Sequence, residues 1–312
     1  MNLQTQIPLL PEAPQIEYAS KIVLMGSCFT ENMGGKLDYF QFQNVQNPFG
    51  VIFNPVSLGL LIERAVQEIP FSEKDLFEQQ GLWQSFEAHS SLAGSIAEEV
   101  LENLNAQRVA LKKGLVEATH IILTLGTSWV YRFKKTGAIV ANCHKVPQQE
   151  FTKELLSVAD IQSSLEALFS EIKKVNPSAT LIFTVSPVRH LKDGFVENTQ
   201  SKAHLITAIH GLQGIKYFPA YELMMDELRD YRFYGEDMLH PNAIAIEYIW
   251  EKFREVWIDP ASEKLQKEID SLQKGLRHQP FQPDSEAHQQ FQKSLQEKIE
   301  TLREVLPWIR FN

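Results

Sequence analysis

Four short apolar runs separated by helical patterns restrict this chain more than any other feature. They occupy residues 22–25, 121–125, 181–185 and, more weakly, 215–218. Their length and β-branched content suit strands buried on both faces. Between them, residues 56–68, 96–116, 159–175 and 198–210 repeat apolar positions with the period of a helix. Strand and helix in alternation predict an α/β fold: a doubly wound parallel sheet with helices on both faces. A fifth strand is expected over residues 42–45. Residues 131–146 break the rhythm and predict an inserted hairpin turning at 135–137. Beyond residue 258 the chain becomes rich in Gln, Glu and Lys, keeps a helical period and is broken by Pro280 and Pro283. The expected organisation is therefore an α/β domain over 1–258 and a helical extension over 259–312.

Charge and composition narrow the function classes. The net charge is −9, with 44% hydrophobic and 22% charged residues. An acidic chain lacks the clustered cations that nucleic acid requires, so no nucleic-acid partner is expected. No polybasic anchor and no apolar run of the roughly 20 residues that span a bilayer is present, so no membrane association is expected either. The first twenty residues carry no basic region, and Pro8, Pro11 and Pro14 interrupt them, which is unlike a signal peptide. A cytoplasmic location is expected. Two cysteines, Cys28 and Cys143, exclude a disulfide framework and a four-cysteine zinc site. A zinc site from His89, His144 and His190 can be drawn, but its spacing fits no metal motif, so no metal is expected. The chain has no Walker A or G-x-G-x-x-G segment and no cofactor is expected.

In open parallel sheets, ligands bind beyond the carboxyl ends of the strands. Gly26-Ser27-Cys28-Phe29 follows the first strand and runs into a helix. A serine there gains the positive end of the helix dipole, which favours a developing anion. Far downstream lies Asp237-Met238-Leu239-His240-Pro241-Asn242, with Pro241 expected to open a helix. A serine hydroxyl needs a base within reach, and a histidine base needs a carboxylate to orient it. An Asp three residues before a His on one loop can turn back onto the ring. Ser27, His240 and Asp237 are thus the candidate nucleophile, base and orienting acid, with Ser27 expected within hydrogen-bond reach of His240. Cys28 is the alternative nucleophile.

Gly26-Ser27-Cys28-Phe29, Asn47-Pro48-Phe49-Gly50, Asn142-Cys143-His144-Lys145, Ser186-Pro187-Val188 and the D-x-x-H-P-N segment together resemble the bacterial GSCFA-domain family, within the SGNH/GDSL hydrolase superfamily. The resemblance covers about residues 20–255. It implies a flavodoxin-like sheet of about five strands and a serine hydrolase with Asp and His on one late loop. It also implies an oxyanion hole built from the Ser27 amide, the Gly50 amide and an Asn side chain. Counting from Gly126, that Asn position holds Ser128, so Ser128 or Asn47 is the expected third donor. His89, Trp129, His144, Lys145, Arg189 and His190 are candidate substrate contacts, with 131–146 as a covering insertion. The function expected is ester hydrolysis or acyl transfer, with a small-molecule or carbohydrate O-acyl ester as substrate. A catalytically weak or inactive SGNH-fold module that binds a ligand or partner is the alternative. The sequence leaves the oligomeric state open.

Overall fold

The computed structural model describes residues 4–311. In chain order it contains β1 (Lys21–Gly26), α1 (Cys28–Tyr39), β2 (Gln43–Gln46), α2 (Pro55–Val66), β3 (Phe77–Gln79), β4 (Leu82–Gln84), α3 (Ala97–Glu117), β5 (His120–Leu125), β6 (Trp129–Phe133), β7 (Ile139–Val140) and β8 (Phe151–Leu155). There follow α4 (Val158–Val175), β9 (Thr180–Val185), α5 (Phe195–His210), β10 (Lys216–Phe218), a single turn α6 (Ala220–Glu222), α7 (Ala243–Trp257), α8 (Glu263–Leu276) and α9 (Glu286–Val305).

The central sheet has the order β10-β9-β5-β1-β2, with every neighbouring pair parallel. Numbering only these strands gives 2-1-3-4-5, the flavodoxin-like order, whose crossover places a crevice beside the first strand. The expected α/β class with a parallel five-stranded sheet is the observed one.

Successive residues of a strand face opposite sides of the sheet. On one side Val23, Met25, Ile121, Leu123, Leu181 and Phe183 pack under α2, α3, α4 and α5. On the other, Ile22, Leu24, Ile122 and Ile182 pack under α1 and α7, with Trp250 and Phe253 at the centre. Ile269, Leu272, Leu295, Ile299 and Leu302 of α8 and α9 enter this second layer. No helix among the described residues is long and apolar enough to cross a membrane.

The expected inserted hairpin is present as β6–β7, and β8, which pairs with β6 along its whole length, extends it to a three-stranded antiparallel sheet in the order β7-β6-β8. One expectation is corrected. Pro241 does not open α7: Asn242 is the N-cap, and its Oδ1 accepts the Ile244 and Ala245 N–H groups. Proline lacks the hydrogen-bonding side chain that this position uses, whereas asparagine is among the best caps. A small hairpin, β3–β4, adds an element beyond those expected.

Candidate active site

β1 ends at Gly26, whose φ of 145° lies outside the range of other residues. A Cβ there would sit 2.2 Å from the Thr124 carbonyl oxygen of the neighbouring strand. This close approach makes the turn that delivers Ser27 to the N-cap of α1. Ser27 Oγ accepts the Phe29 N–H at 3.3 Å, and the residue is 1% exposed.

The Asp237–His240 loop reaches the same edge of the sheet. Asp237 Oδ1 accepts the Leu239 and His240 N–H groups at 2.9 and 3.0 Å, and Oδ2 lies 2.5 Å from His240 Nδ1. The two backbone bonds, His240 first, and then the ring contact hold the Asp237 carboxyl down to about 2. Asp237 is therefore a carboxylate at working pH, and its Oδ2 accepts from His240 Nδ1–H. Met238 between them holds a φ of 58°, a strained conformation for a non-glycine residue.

Arg189, just beyond β9, secures this loop. Its N–H donates to Leu239 O at 3.4 Å, its guanidinium donates to Met238 O, and its charge lies 4.7 Å from the Tyr234 ring centre. β9 pairs directly with β5, and β5 with β1, so Ser27, Gly126, Arg189 and the His240 loop all belong to the carboxyl edge. No hydrogen bond joins Ser27 to His240 among the described residues; the ring is half exposed, with 51% of its side chain accessible.

The expected oxyanion donors are mostly engaged. The Ser27 amide donates to Thr124 O at 3.1 Å and the Gly50 amide to Asn47 O at 2.7 Å. Ser128 turns away from the crevice: its N–H donates to Ser201 Oγ at 2.8 Å and its Oγ to Ser201 O at 3.1 Å. Asn47 differs. Its Oδ1 accepts the Gly26 N–H at 2.9 Å, while Nδ2 is buried without a partner.

The expected substrate contacts separate into two groups. His89 stands over Gly50, where a Cβ would meet its own Cβ at 2.4 Å, and His190 stands over Gly126. Lys145 is exposed. By contrast, Trp129 donates through Nε1 to Glu197 O at 3.2 Å and carries Lys153 Nζ 4.6 Å above its ring, so one face of the indole is occupied by a cation. His144 is buried beside Phe77 and Phe86, with Nε2 2.6 Å from Ser85 O. It braces the insertion against the β3–β4 segment and offers no charge outward, since burial lowers its pKa. Cys28 is a poor rival nucleophile because burial, then Glu31, pushes its thiol up.

Residues of α5 complete the site. Asn198, Ser201, Lys202 and Leu205 form one buried stripe. Asn198 Oδ1 accepts the His190 N–H at 2.8 Å, and Ser201 takes Ser128. Lys202, 1% exposed, donates to Gly126 O at 2.7 Å and Ser186 O at 2.8 Å, tying the ends of β5 and β9 together. Burial draws its ammonium down to about 7. Among the described residues no three His, Cys, Asp or Glu side chains gather as a metal cluster.

His120, His144 and His190 are all held below the usual imidazole range, first by burial. The unfolded chain binds protons at these positions from about pH 6.5 downward while the folded chain resists them. Their stabilising effect is full above that pH and is lost as the pH falls. Urea midpoints are therefore expected to drop from pH 7.5 to 5.5, with a shallower drop in His144→Gln. A wild-type midpoint that rises on acidification would contradict this assignment.

Residues 21–253 match the family model described as GSCFA family, and residues 269–312 match the one described as GSCFA domain protein, C-terminal domain. No curated protein matches. Among solved structures the chain is similar to an acetyl xylan esterase (Est2A) from the rumen bacterium Butyrivibrio proteoclasticus. Identity is 12% and the TM-score 0.37, over 77% of this chain and 64% of that one. This chain thus spans less than two thirds of that esterase's length.

Proposed function

Because the chain belongs to the GSCFA family, we propose that it is a serine hydrolase or acyltransferase of SGNH type that acts on acyl esters, with O-acyl groups on carbohydrates as the substrate class. The observation that carries the reading is the Asp237–His240 contact of 2.5 Å on the sheet edge where Ser27 emerges. In this reading Ser27 Oγ attacks the acyl carbonyl carbon. His240 Nε2 takes the hydroxyl proton and returns it to the departing alcohol oxygen. Asp237 remains ionised throughout and stabilises the imidazolium. Water or an acceptor hydroxyl then repeats the sequence on the acyl-enzyme. Catalytic hydrogen bonds often tighten only with substrate bound, which accommodates the unmade bond between Ser27 and His240.

The test is intact-mass analysis after fluorophosphonate treatment. One adduct on Ser27 is expected, forming far more slowly in His240→Ala and Asp237→Asn. An adduct elsewhere, or equal labelling in all three proteins, contradicts the mechanism. A second reading, a ligand-binding module with little or no turnover, is favoured by the engaged Ser27 and Gly50 amides. Inertness of Ser27 toward the probe supports it.

A further inference from the structure

One buried nitrogen at the crevice has no partner and no part in the mechanism above: Nε2 of His190. An unpaired buried polar atom is costly, and at a strand end beside the candidate nucleophile it points to a ligand group that would satisfy it. The ring hangs over the end of β5, where a Cβ on Gly126 would come 3.2 Å from Nε2. Gly26 pairs with Thr124 in register, and Ser27 bonds back to Thr124 O. Ser27 and Gly126 therefore leave adjacent strands side by side. Asn198 Oδ1 holds the His190 backbone, and the Phe53 ring lies 5.6 Å from the imidazole, centre to centre.

We propose that His190 donates a hydrogen bond from Nε2–H to the oxyanion formed when Ser27 attacks an ester. This role rests on the ester-cleavage reading above. Ser128, at the position where the superfamily pattern puts an Asn, cannot fill it because both its donors are committed to Ser201. The Asn47 amide, another unpartnered donor at this edge, approaches from the β2 side of β1, so the two flank Ser27 from opposite strands.

A neutral imidazole suits the task, and the surroundings keep this one neutral. Burial, then the charges of Lys202 and His240, hold its pKa near 3. Proton traffic then falls to His240 alone. As Ser27 Oγ bonds to the carbonyl carbon, its proton passes to His240 Nε2 and the carbonyl π pair moves onto oxygen. That oxygen accepts from His190 Nε2–H. The pair returns to the C–O bond as the ester bond breaks, and His240 protonates the alcohol. His190 gains and loses no proton.

The experiment measures p-nitrophenyl acetate turnover, phenylboronic acid inhibition and fluorophosphonate labelling in wild type, His190→Ala, His190→Gln and His240→Ala. Loss of one oxyanion donor lowers kcat by about 10²–10³-fold. His190→Ala should show that loss with KM little changed, boronate inhibition weakened to a similar degree and Ser27 still the labelled residue. His190→Gln, which keeps an N–H donor, should recover part of it. A purely structural role would move the melting temperature without the matched change in kcat and boronate affinity. If wild type is active and labelled while His190→Ala equals it, the donor role falls and the ester-cleavage reading stands. If His190→Ala loses as much as His240→Ala, His190 is a base and the proposal is overturned. If wild type neither turns over nor labels, both readings fall together.

Discussion

Ser27→Ala is expected to lower turnover of an activated ester by at least about 10⁴-fold, because the members of a triad act as a unit. Cys28→Ala should keep most of the activity, since the Cys28 thiol is held protonated and lies on the first helical residue after the turn. Ser27 also caps α1 through its contact with the Phe29 N–H. The alanine variant therefore loses about 1 kcal/mol of stability along with its activity. Ser27→Asn separates the two roles: an asparagine can still cap the helix but cannot attack an ester. Steady-state rates and urea unfolding of the three variants check this. Activity lost in Cys28→Ala and retained in Ser27→Ala would make the thiol the nucleophile.

Gly26→Ala is expected to be the most damaging single methyl group in the chain. The new Cβ would lie within 3 Å of the N, C and O atoms of Thr124, all of them backbone, and φ at this position is 145°. No side chain can swing aside, so the β1–β5 pairing itself has to open. A cost of about 3–5 kcal/mol, or failure to accumulate folded protein, is expected. Gly35→Ala, nine residues further on, is its control. It lies in α1 with nothing within 4 Å of the new methyl group, and should raise stability by about 0.5–1 kcal/mol. Urea midpoints of both variants against wild type decide the matter; equal effects would contradict the strain argument.

The central sheet was legible because its strands are buried on both faces and so must be nearly all apolar, as in His120–Leu125 and Thr180–Val185. β8 was not legible. Its sequence, FTKEL, alternates buried and exposed positions only loosely, and its pairing with β6 is settled by the insertion as a whole. The three-residue strands β3 and β4 are too short to carry a period. Among the site residues, Ser27 and the Asp237–His240 pair stood out because strand ends and short-range spacing are readable. Ser128 shows what spacing leaves out: counting from Gly126 finds the residue but not the direction of its hydroxyl, which turns to Ser201. Asn198 and Lys202 belong to no motif in the sequence. Their interval of four, continued by Leu205 and Ile209, was the available signal that both lie on the buried stripe. Trp129 and His144 look like exposed contacts in a loop and become packing residues: Trp129 lies in β6 under Lys153 of β8, and His144 sits against Phe77 and Phe86.

α1 is capped by Ser27 and is gripped at its other end by the C-terminal segment. Tyr39 Oη donates to Asp270 Oδ1 at 2.8 Å, Gln273 Nε2 donates to Tyr39 O at 3.1 Å, and Trp308 Nε1 donates to Gln41 O at 3.1 Å. Its 12 residues make a strut about 18 Å long at 1.5 Å per residue, pinned at both ends and stiff between them. The C-terminal segment is thus joined through α1 to the turn that carries Ser27. The segment outside the sheet thereby meets the crevice only at one remove, through the far end of the helix that Ser27 caps.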